Sequence, residues 1–531
     1  MKRLLYHAVK GYTSPMARRF NRALMDPAVS QQRVLATIVQ DLKNTEYGAH
    51  YGINNEADFK KSIPVVNYDD IDCWMRRQRE EEGNILVASD VRFYEKTSGS
   101  TGPHKYIPYT NPLRRSFTNM FLLWAHDLIS NIQGLGKGKL YFSVSPNFDE
   151  ERYTDQGVPI GLDDDADYLG SAWRRILSPF MLADKRIGKE RDPEKFKQAL
   201  CLSLLGCAEL ETISIWNPSF LTLVLQWIDD NRDHVLTELS GSLSSCRQRA
   251  LESDQIDWPA VWPELKLISC WADANAQPLA KKLEDRFHHV QVQGKGLLAT
   301  EAPMTIPMIN VEGGVPLVSE TYFEFLQENG DLVTLDKVKY GKRYEIVISQ
   351  RGGLYRYRMG DQVEVVGKLH NTPTLRFVGR NNRISDMVGE KLNESFVRDV
   401  IESLPIEGVG FRSLMAVRKP ADAYVLILDR YFDSTTNSTT NGTLNSGTDN
   451  RMTKGLENME RMLEAGLQKA YHYRHARALG QLASARIMII PNVENIISQQ
   501  ALEQEKTLGN IKQNYLMGFD EGLLDTFGML R

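Results

Sequence analysis

No stretch of this chain approaches the roughly 20 consecutive apolar residues that cross a bilayer; MFLLWAHDLI is among the longest such runs in its 531 residues. A membrane-spanning role is therefore not expected. Cysteine is also scarce. Cys73, Cys201, Cys207, Cys246 and Cys270 form no C-x-x-C pair, which argues against a zinc knuckle or a disulfide framework and for reduced thiols in a cytoplasmic protein. Neither charge sign is in excess: 64 Lys and Arg against 68 Asp and Glu leave a formal charge of −4. That balance supplies no electrostatic basis for holding nucleic acid or an anionic membrane. The opening MKRLLYHAVKGYTSPMARRF is basic but develops no apolar core, so no secretion leader is expected. What remains is an ordinary globular composition, 42% hydrophobic and 25% charged, long enough for more than one domain. A small-molecule substrate is the expected partner, and a monomer the default state.

Residues up to about 45 carry apolar positions at helical spacing, as in VLATIVQDLKN. From Val91 short β-type runs take over (VRFYE, KYIPYT, KLYFSVSP). Long helical patterns follow in PLRRSFTNMFLLWAHDLISNI and PEKFKQALCLSLLGCAELETISIW. Strand-like runs return between Leu265 and Gly367: LKLIS, HVQVQG, VPLVSE, TYFEFL, YEIVIS and QVEVV. This alternation predicts an α/β fold with large sheets. Near Arg380 the pattern changes to a smaller α+β region with a helix starting around Asn393, so the predicted domains are 1–381 and 382–531. Within the second, the Ser/Thr/Asn/Gly tract 432–453 has almost no apolar residue and is expected to be a disordered loop. The chain has no internal repeat.

Five short elements carry the candidate chemistry. The first is KTSGSTGPHKYIPYT, which packs Thr97, Ser98, Gly99, Ser100, Thr101 and Gly102 together ahead of Lys105. Glycines that admit an anion to backbone N–H groups, hydroxyl donors and a cation suit phosphate, but the same composition serves a plain hairpin turn. The segment lies between two strands and does not fit the G-x-x-x-x-G-K-[ST] loop. The second is GLLATEAPMTIP, where Ala299, Thr300 and Glu301 read equally well as a solvated helix start. The third, GGLYRYRMGDQVEVVG, places Asp361 at a tight Met-Gly-Asp turn, where an Asp either caps the turn or holds a ribose diol. The fourth is RFVGRNNRISDMVGEKLNESF and the fifth EKTLGNIKQNYL. GLGKGK at 134–139 has close glycines but precedes a strand, against a dinucleotide loop, and His472 with His475 lacks the partners of a metal site.

In this order, the five elements resemble the adenylate-forming superfamily, and more closely its Gretchen Hagen branch of acyl acid amido synthetases. TSGSTG with Lys105 resembles the phosphate-loop motif, and Ala299–Glu301 the motif that stacks adenine and supplies a Mg²⁺-linked carboxylate. YRYRMGD resembles the motif whose Asp, here Asp361, holds the ribose. FVGRNNRI resembles the hinge, with Arg380 near the nucleotide and Asn382 at the pivot. GEKLNE resembles a second lysine motif with Lys391 near the active site, and GNIKQNYL carries Lys512 where the mobile catalytic lysine belongs. The N-terminal T-x-Y-G helix, IPVVNYDDI and the sheet strands are similar to this branch too, so the likeness runs from about Gln31 to Lys512. Three positions depart from the pattern: Pro103 stands one place early with His104 in its stead, the hinge residue is Asn382, and Gln-Asn follows Lys512, leaving Lys506 as a competing candidate.

The resemblance implies an adenylate-forming fold, with a large N-terminal α/β domain of several sheets that binds ATP and the acid, and a small mobile α+β C-terminal domain. It implies an ATP- and Mg²⁺-dependent ligase that adenylates a carboxylic acid and passes the acyl group to an amine, typically an amino acid. In such a ligase Leu298, Ala299 and Tyr322 are expected to flank adenine. The helical run RRSFTNMFLLWAHDLI reads first as core or surface packing, and second as a wall of the acid pocket with Arg114 or Arg115 meeting an acid group. The alternative is transfer to a thiol of coenzyme A or a carrier protein. A third reading is a regulatory protein that kept the fold, against which Lys105, Glu301, Asp361 and Arg380 stand intact.

Overall fold

The computed structural model describes residues 2–97, 105–142, 153–161, 178–182, 193–380, 384–385, 387–388, 390, 392–406, 411–418, 421–429, 449–478, 481–491, 493, 496–497, 514–517, 523 and 527. The chain divides into two compact units, Met1–Phe377 and Val378–Arg531.

In the first unit the N-terminal pattern forms two helices, Lys2–Met25 and Pro27–Leu42. They break at Asp26, whose side chain accepts from Val29 N while Pro27 begins the second helix, where its missing N–H costs nothing. The second helix is fastened to a sheet by one buried amide. Gln31 Nε2 donates to the carbonyls of Val318 and Thr321 at 3.0 and 2.8 Å, and its Oε1 accepts from Phe323 N at 2.7 Å. That sheet has seven strands in the spatial order 332–334, 322–326, 343–349, 357–369, 372–380, 314–316, 305–307. Its inner face joins the two helices in one large core through Phe323, Phe325, Ile346 and Ile348, packed with Leu35, Ile38 and Leu42.

A second, parallel sheet is built from the strands 139–142, 210–214, 267–269 and 291–293, in that order. Helices Pro193–Gly206, Pro218–Asp230 and Gln277–Arg286 lie among the crossovers between its strands. One prediction is corrected here. PEKFKQALCLSLLGCAELETISIW is not one helix: it ends at Gly206, and Leu210–Ser214 is a fully buried central strand. Pairing on both sides overrides the local helical reading of that stretch.

The second unit centres on a four-stranded sheet in the order 486–490, 423–429, 412–417, 516–517. Alternate residues feed two cores, Leu414, Leu426 and Leu428 on one face and Met415, Val425 and Ile427 on the other. Helix Glu394–Glu402 begins at Asn393, whose side chain caps Phe396 N. Most of the polar tract lies outside the described residues, but its last residues, 449–453, belong to helix Asp449–Leu467, where the expectation of a loop fails. The amphipathic turns that follow, burying Leu463 and Leu467, extend the helix back into the tract.

All five cysteines are free, and burial pushes the thiols of Cys201 and Cys270 up to about 12, which makes them inert. Among the described residues no helix is long and apolar enough to cross a membrane.

Candidate active site

The strands flanking the glycine-rich segment, Val91–Thr97 and Lys105–Thr110, pair antiparallel with Thr97 opposite Lys105. The segment therefore closes a hairpin. Ser98, Gly99, Ser100, Thr101, Gly102 and His104 lie outside the described residues, as does the side chain of Thr97. The Lys105 ammonium sits 5.5 Å from the centre of the Tyr68 ring, a cation–π arrangement, and the Tyr68 hydroxyl accepts from Tyr106 N at 2.9 Å. Tyr68 is placed by the cap of its helix: Asn67 and Asp70 form a capping box at the start of Tyr68–Glu80. The sequence element NYDD thus supports the lysine of the hairpin from beneath.

Thr300 and Glu301 form the tip of a second, very tight hairpin, with Ala299 paired to Ala302. This excludes the solvated helix start. Two segments far apart in sequence converge on the tip and are joined to each other. Tyr109, from the first hairpin, donates its hydroxyl to the Thr300 carbonyl at 2.7 Å. Gln350 donates Nε2 to the Glu301 carbonyl at 2.9 Å, and its Oε1 accepts from Gly352 N. Thr110, the N-cap of helix Asn111–Asn131, donates its hydroxyl to Arg351 O at 2.9 Å. Gly352 has to be glycine, because a Cβ would stand 2.8 Å from Pro108 O and 2.5 Å from Leu113. Glu301 is only 8% exposed, and among the described residues its carboxylate has no hydrogen-bond or ion-pair partner. A carboxylate left without a partner at the tip of a hairpin is open to a cation.

The last five residues of YRYRMGD are not a turn into a strand but the start of one long strand, Tyr357–Leu369, interrupted by a bulge. Glu345 pairs with Gln362 and Val347 with Arg358, so Ile346 alone faces Met359, Gly360 and Asp361. Gly360 takes φ +79, and the extra residues set the direction of Asp361, 5% exposed. Arg356 has a structural task. At φ +49 it is nearly buried, forked onto both oxygens of Glu324 at 2.9 and 3.0 Å and donating to the carbonyls of Lys60 and Ile63.

Gln350 escaped the sequence reading. Its signal was the pair Gly352–Gly353 directly after it, which marks a close backbone approach, with Gly353 at φ +94. Tyr322 is a correction in the other direction. It packs edge-on against Phe59 in the core, 2% exposed, and has no ring face to offer adenine.

Of the downstream residues, Arg380 ends the strand Thr372–Arg380 and its side chain is outside the described set, with Asn382, Lys391, Lys506 and Lys512. Their surroundings are partly described. Glu390 accepts from Met387 N and Val388 N at 2.8 Å each and from the Tyr424 hydroxyl, which fixes the turn leading to Lys391. Beyond Lys512, Tyr515 donates its backbone N–H to Glu394 at 2.8 Å and its hydroxyl to Glu402 at 3.0 Å.

Arg114 and Arg115 line a cleft of about 410 Å³ with Asn111 and Thr118, on the first turns of helix Asn111–Asn131. GLGKGK does form an anion nest, but an internal one: Gly136, Lys137 and Gly138 donate their N–H groups to the buried carboxylate of Glu211, which also meets Lys266 at 3.0 Å. Among the described residues no group of three or more His, Cys, Asp or Glu could hold a metal ion. A Mg²⁺ site needs only one or two carboxylates when substrate phosphates supply the rest, and Glu301 fits that requirement.

Two compact units, the first with several sheets and two tight hairpins joined beside Glu301, match an adenylate-forming fold. A solved 2-hydroxyisobutyryl-CoA ligase superposes with TM-score 0.52 at 13% identity, over 96% of this chain and 94% of that one. The acyl acid amido synthetase AtGH3.15, solved in complex with 2,4-DB, superposes with TM-score 0.81 at 19% identity, over 96% and 95%. The indole-3-acetic acid-amido synthetase GH3.4 of Arabidopsis thaliana is 25% identical over 433 residues, 71% of each chain. The GH3 family N-terminal domain matches residues 16–247 and the GH3 family central domain residues 314–380, together more than half of the sequence. The chain belongs to the GH3 family, the Gretchen Hagen branch of the superfamily.

Proposed function

We propose that this protein is an ATP-dependent ligase that adenylates a carboxylic acid and transfers the acyl group to an amine, an amino acid in the first instance, forming an amide and AMP. The observation that carries this reading is the convergence of the Lys105 hairpin, the Glu301 tip and the Gln350 segment, in a member of a family whose relatives are named as amido synthetases.

A carboxylate is a poor acyl donor because its leaving oxygen is poor and its charge repels nucleophiles. Activation lets a carboxylate oxygen attack the α-phosphorus of ATP while the bond to pyrophosphate breaks. Little covalent work falls to the protein; catalysis is alignment and charge stabilisation. In this reading Thr97 to Gly102 and Lys105 hold the β- and γ-phosphates, and Ala299 and Thr300 border the adenine. Asp361, aimed by its bulge, binds the ribose, Arg380 lies near the nucleotide, and Lys391 near the reacting groups. Glu301 would hold Mg²⁺, which would supply positive charge against the phosphates. Lys512 bridges phosphate and carboxylate oxygens during activation. The segment beyond Asn382 then turns to withdraw Lys512 and admit the amine. The neutral amine attacks the acyl carbon, the bond to AMP breaks, and the amine proton passes to a base or water.

The test supplies purified protein with ATP, Mg²⁺ and a panel of carboxylic acids, and measures pyrophosphate and AMP with amino acids or coenzyme A added. Acid-dependent pyrophosphate release, with amide appearing only when an amino acid is present, supports the reading. Acceleration by coenzyme A and not by amino acids would make it a thioester ligase. No release across a broad panel would refute both.

A further inference from the structure

Three strands of the parallel sheet end in polar residues side by side: Ser214, Ser269 and Gln293. Just beyond them stand Trp216, Trp271 and Lys295. The carboxyl ends of parallel strands are where open α/β sheets leave a crevice for ligands. Here the Lys295 ammonium is held at the mouth by Ser214 Oγ at 2.8 Å and Ser269 Oγ at 3.3 Å. It lies 5.0 Å from the ring centre of Trp216 and 5.8 Å from that of Trp124. Trp216 and Trp271 lie with their ring centres 6.1 Å apart and their planes tilted by 47°. All three tryptophans are half-buried.

The polar end of this enclosure is also unfinished. Trp124 Nε1 donates to Gln293 Oε1 at 2.9 Å, which fixes the orientation of the amide. Gln293 is 7% exposed, and its Nε2 has no hydrogen-bond partner among the described residues. A buried donor left unsatisfied is costly, so a site that keeps one is suited to an acceptor. The enclosure adjoins the activating elements along the chain. Trp124 lies on the helix that continues the Lys105 hairpin, and Lys295 lies in the segment between the sheet and Glu301.

We propose that the crevice formed by Trp124, Trp216, Trp271, Gln293 and Lys295 selects the acid, and that it favours planar aromatic acids carrying a second anionic or hydrogen-bond-accepting group away from the reacting carboxylate. This rests on the ligase reading above. The ring lies against the indoles, and the second group meets the Lys295 ammonium and the Gln293 amide. A hydrogen bond to a charged group in a partly dry site separates such an acid from its plain analogue by about 10- to 100-fold.

The experiment compares 4-carboxyphenylacetate, phenylacetate and hexanoate in the full-length protein. It uses pyrophosphate release at saturating ATP and Mg²⁺, and calorimetric binding in the presence of a non-hydrolysable ATP analogue. The expected result is a KM for 4-carboxyphenylacetate about 10-fold or more below that of phenylacetate. Lys295→Met should erase this difference by raising the KM for 4-carboxyphenylacetate to that for phenylacetate, while Lys295→Arg should keep it. A preference for hexanoate, or a Lys295→Met effect equal for all three acids, overturns the pocket and leaves the ligase reading standing. If no acid yields pyrophosphate, the ligase reading fails and calorimetry decides the pocket: binding of 4-carboxyphenylacetate lost in Lys295→Met supports it, and binding absent or unchanged overturns it.

Discussion

The hydroxyl of Tyr109 donates to the carbonyl of Thr300 at 2.7 Å, joining the glycine-rich hairpin to the hairpin that carries Glu301. The Tyr109 ring is fully buried between Phe93 and Phe117, so Tyr109→Phe removes the bond and leaves the packing in place. The orphaned carbonyl should cost about 1–1.5 kcal/mol of stability. If the bond sets the distance between phosphate loop and carboxylate, adenylation should also slow by about 10-fold. Thermal unfolding and acid-dependent pyrophosphate release measure the two effects. A stability loss without a rate loss would make the bond structural only.

Glu301 separates from its neighbour in a similar comparison. Its carboxylate has no partner among the described residues, so Glu301→Gln should leave the unfolding temperature unchanged or slightly raised, while adenylation falls by about 100-fold or more and demands more Mg²⁺. Gln350→Ala should do the reverse on stability, because the tip loses the amide that holds its carbonyl. A Mg²⁺ titration of the rate checks the first claim. An unchanged titration curve in Glu301→Gln would remove Glu301 from the metal.

The local part of this arrangement was legible in the sequence. Alternating runs around TSGSTG placed the hairpin, and the order of the five elements implied the family that the comparisons identify. What could not be read depends on partners hundreds of residues away. Gln350 is an unremarkable polar residue until the fold sets it under Glu301, and nothing in the letters around Arg356 tells that it forks onto Glu324 and donates to carbonyls near residue 60. The strand Leu210–Ser214 read as helix because only its sheet neighbours make it extended. The bulge at Gly360 is likewise a matter of register between two strands, which one strand's letters do not contain.

Tyr515 follows Lys512 closely and is tied at two points to helix Glu394–Glu402. Lys512→Ala should lower adenylation by about 100-fold or more while amide formation from a presynthesised acyl-adenylate continues. Glu394→Ala should show a weaker version of the same split, because it releases the strand that anchors the lysine segment. Equal losses in both half-reactions would argue for general unfolding of the second unit. A silent Lys512→Ala beside an inactive Lys506→Ala would move the catalytic role to Lys506.

Glu211 tests the internal nest. It is 1% exposed and accepts three backbone N–H groups from the 136–138 turn as well as the Lys266 ammonium. Glu211→Ala strands the three backbone donors and leaves Lys266 only its contacts to Glu264, and a loss of about 3 kcal/mol is expected, enough to be seen directly as a fall in the unfolding midpoint of the first unit. ATP binding should be unaffected in whatever fraction stays folded. Loss of nucleotide binding with unchanged stability would instead return GLGKGK to the list of phosphate loops.

Asp273 gives the protein a specific pH dependence. Burial raises its carboxyl to about 6, against the opposing pull of the Arg376 guanidinium and the Phe377 N–H. The native state thus binds this proton more tightly than the unfolded chain, whose Asp titrates near 4, so stability falls as pH rises from about 4 to about 6 and then levels off. Asn presents the same acceptor to Phe377 N without the buried charge. Asp273→Asn should therefore be more stable than wild type by about 1–3 kcal/mol at pH 7.5, with the advantage shrinking toward zero near pH 4. Paired denaturation curves across that range measure the difference. A variant that is less stable at pH 7.5 would mean that the attraction of the Arg376 guanidinium outweighs desolvation, and the slope between pH 4 and 6 would then reverse sign.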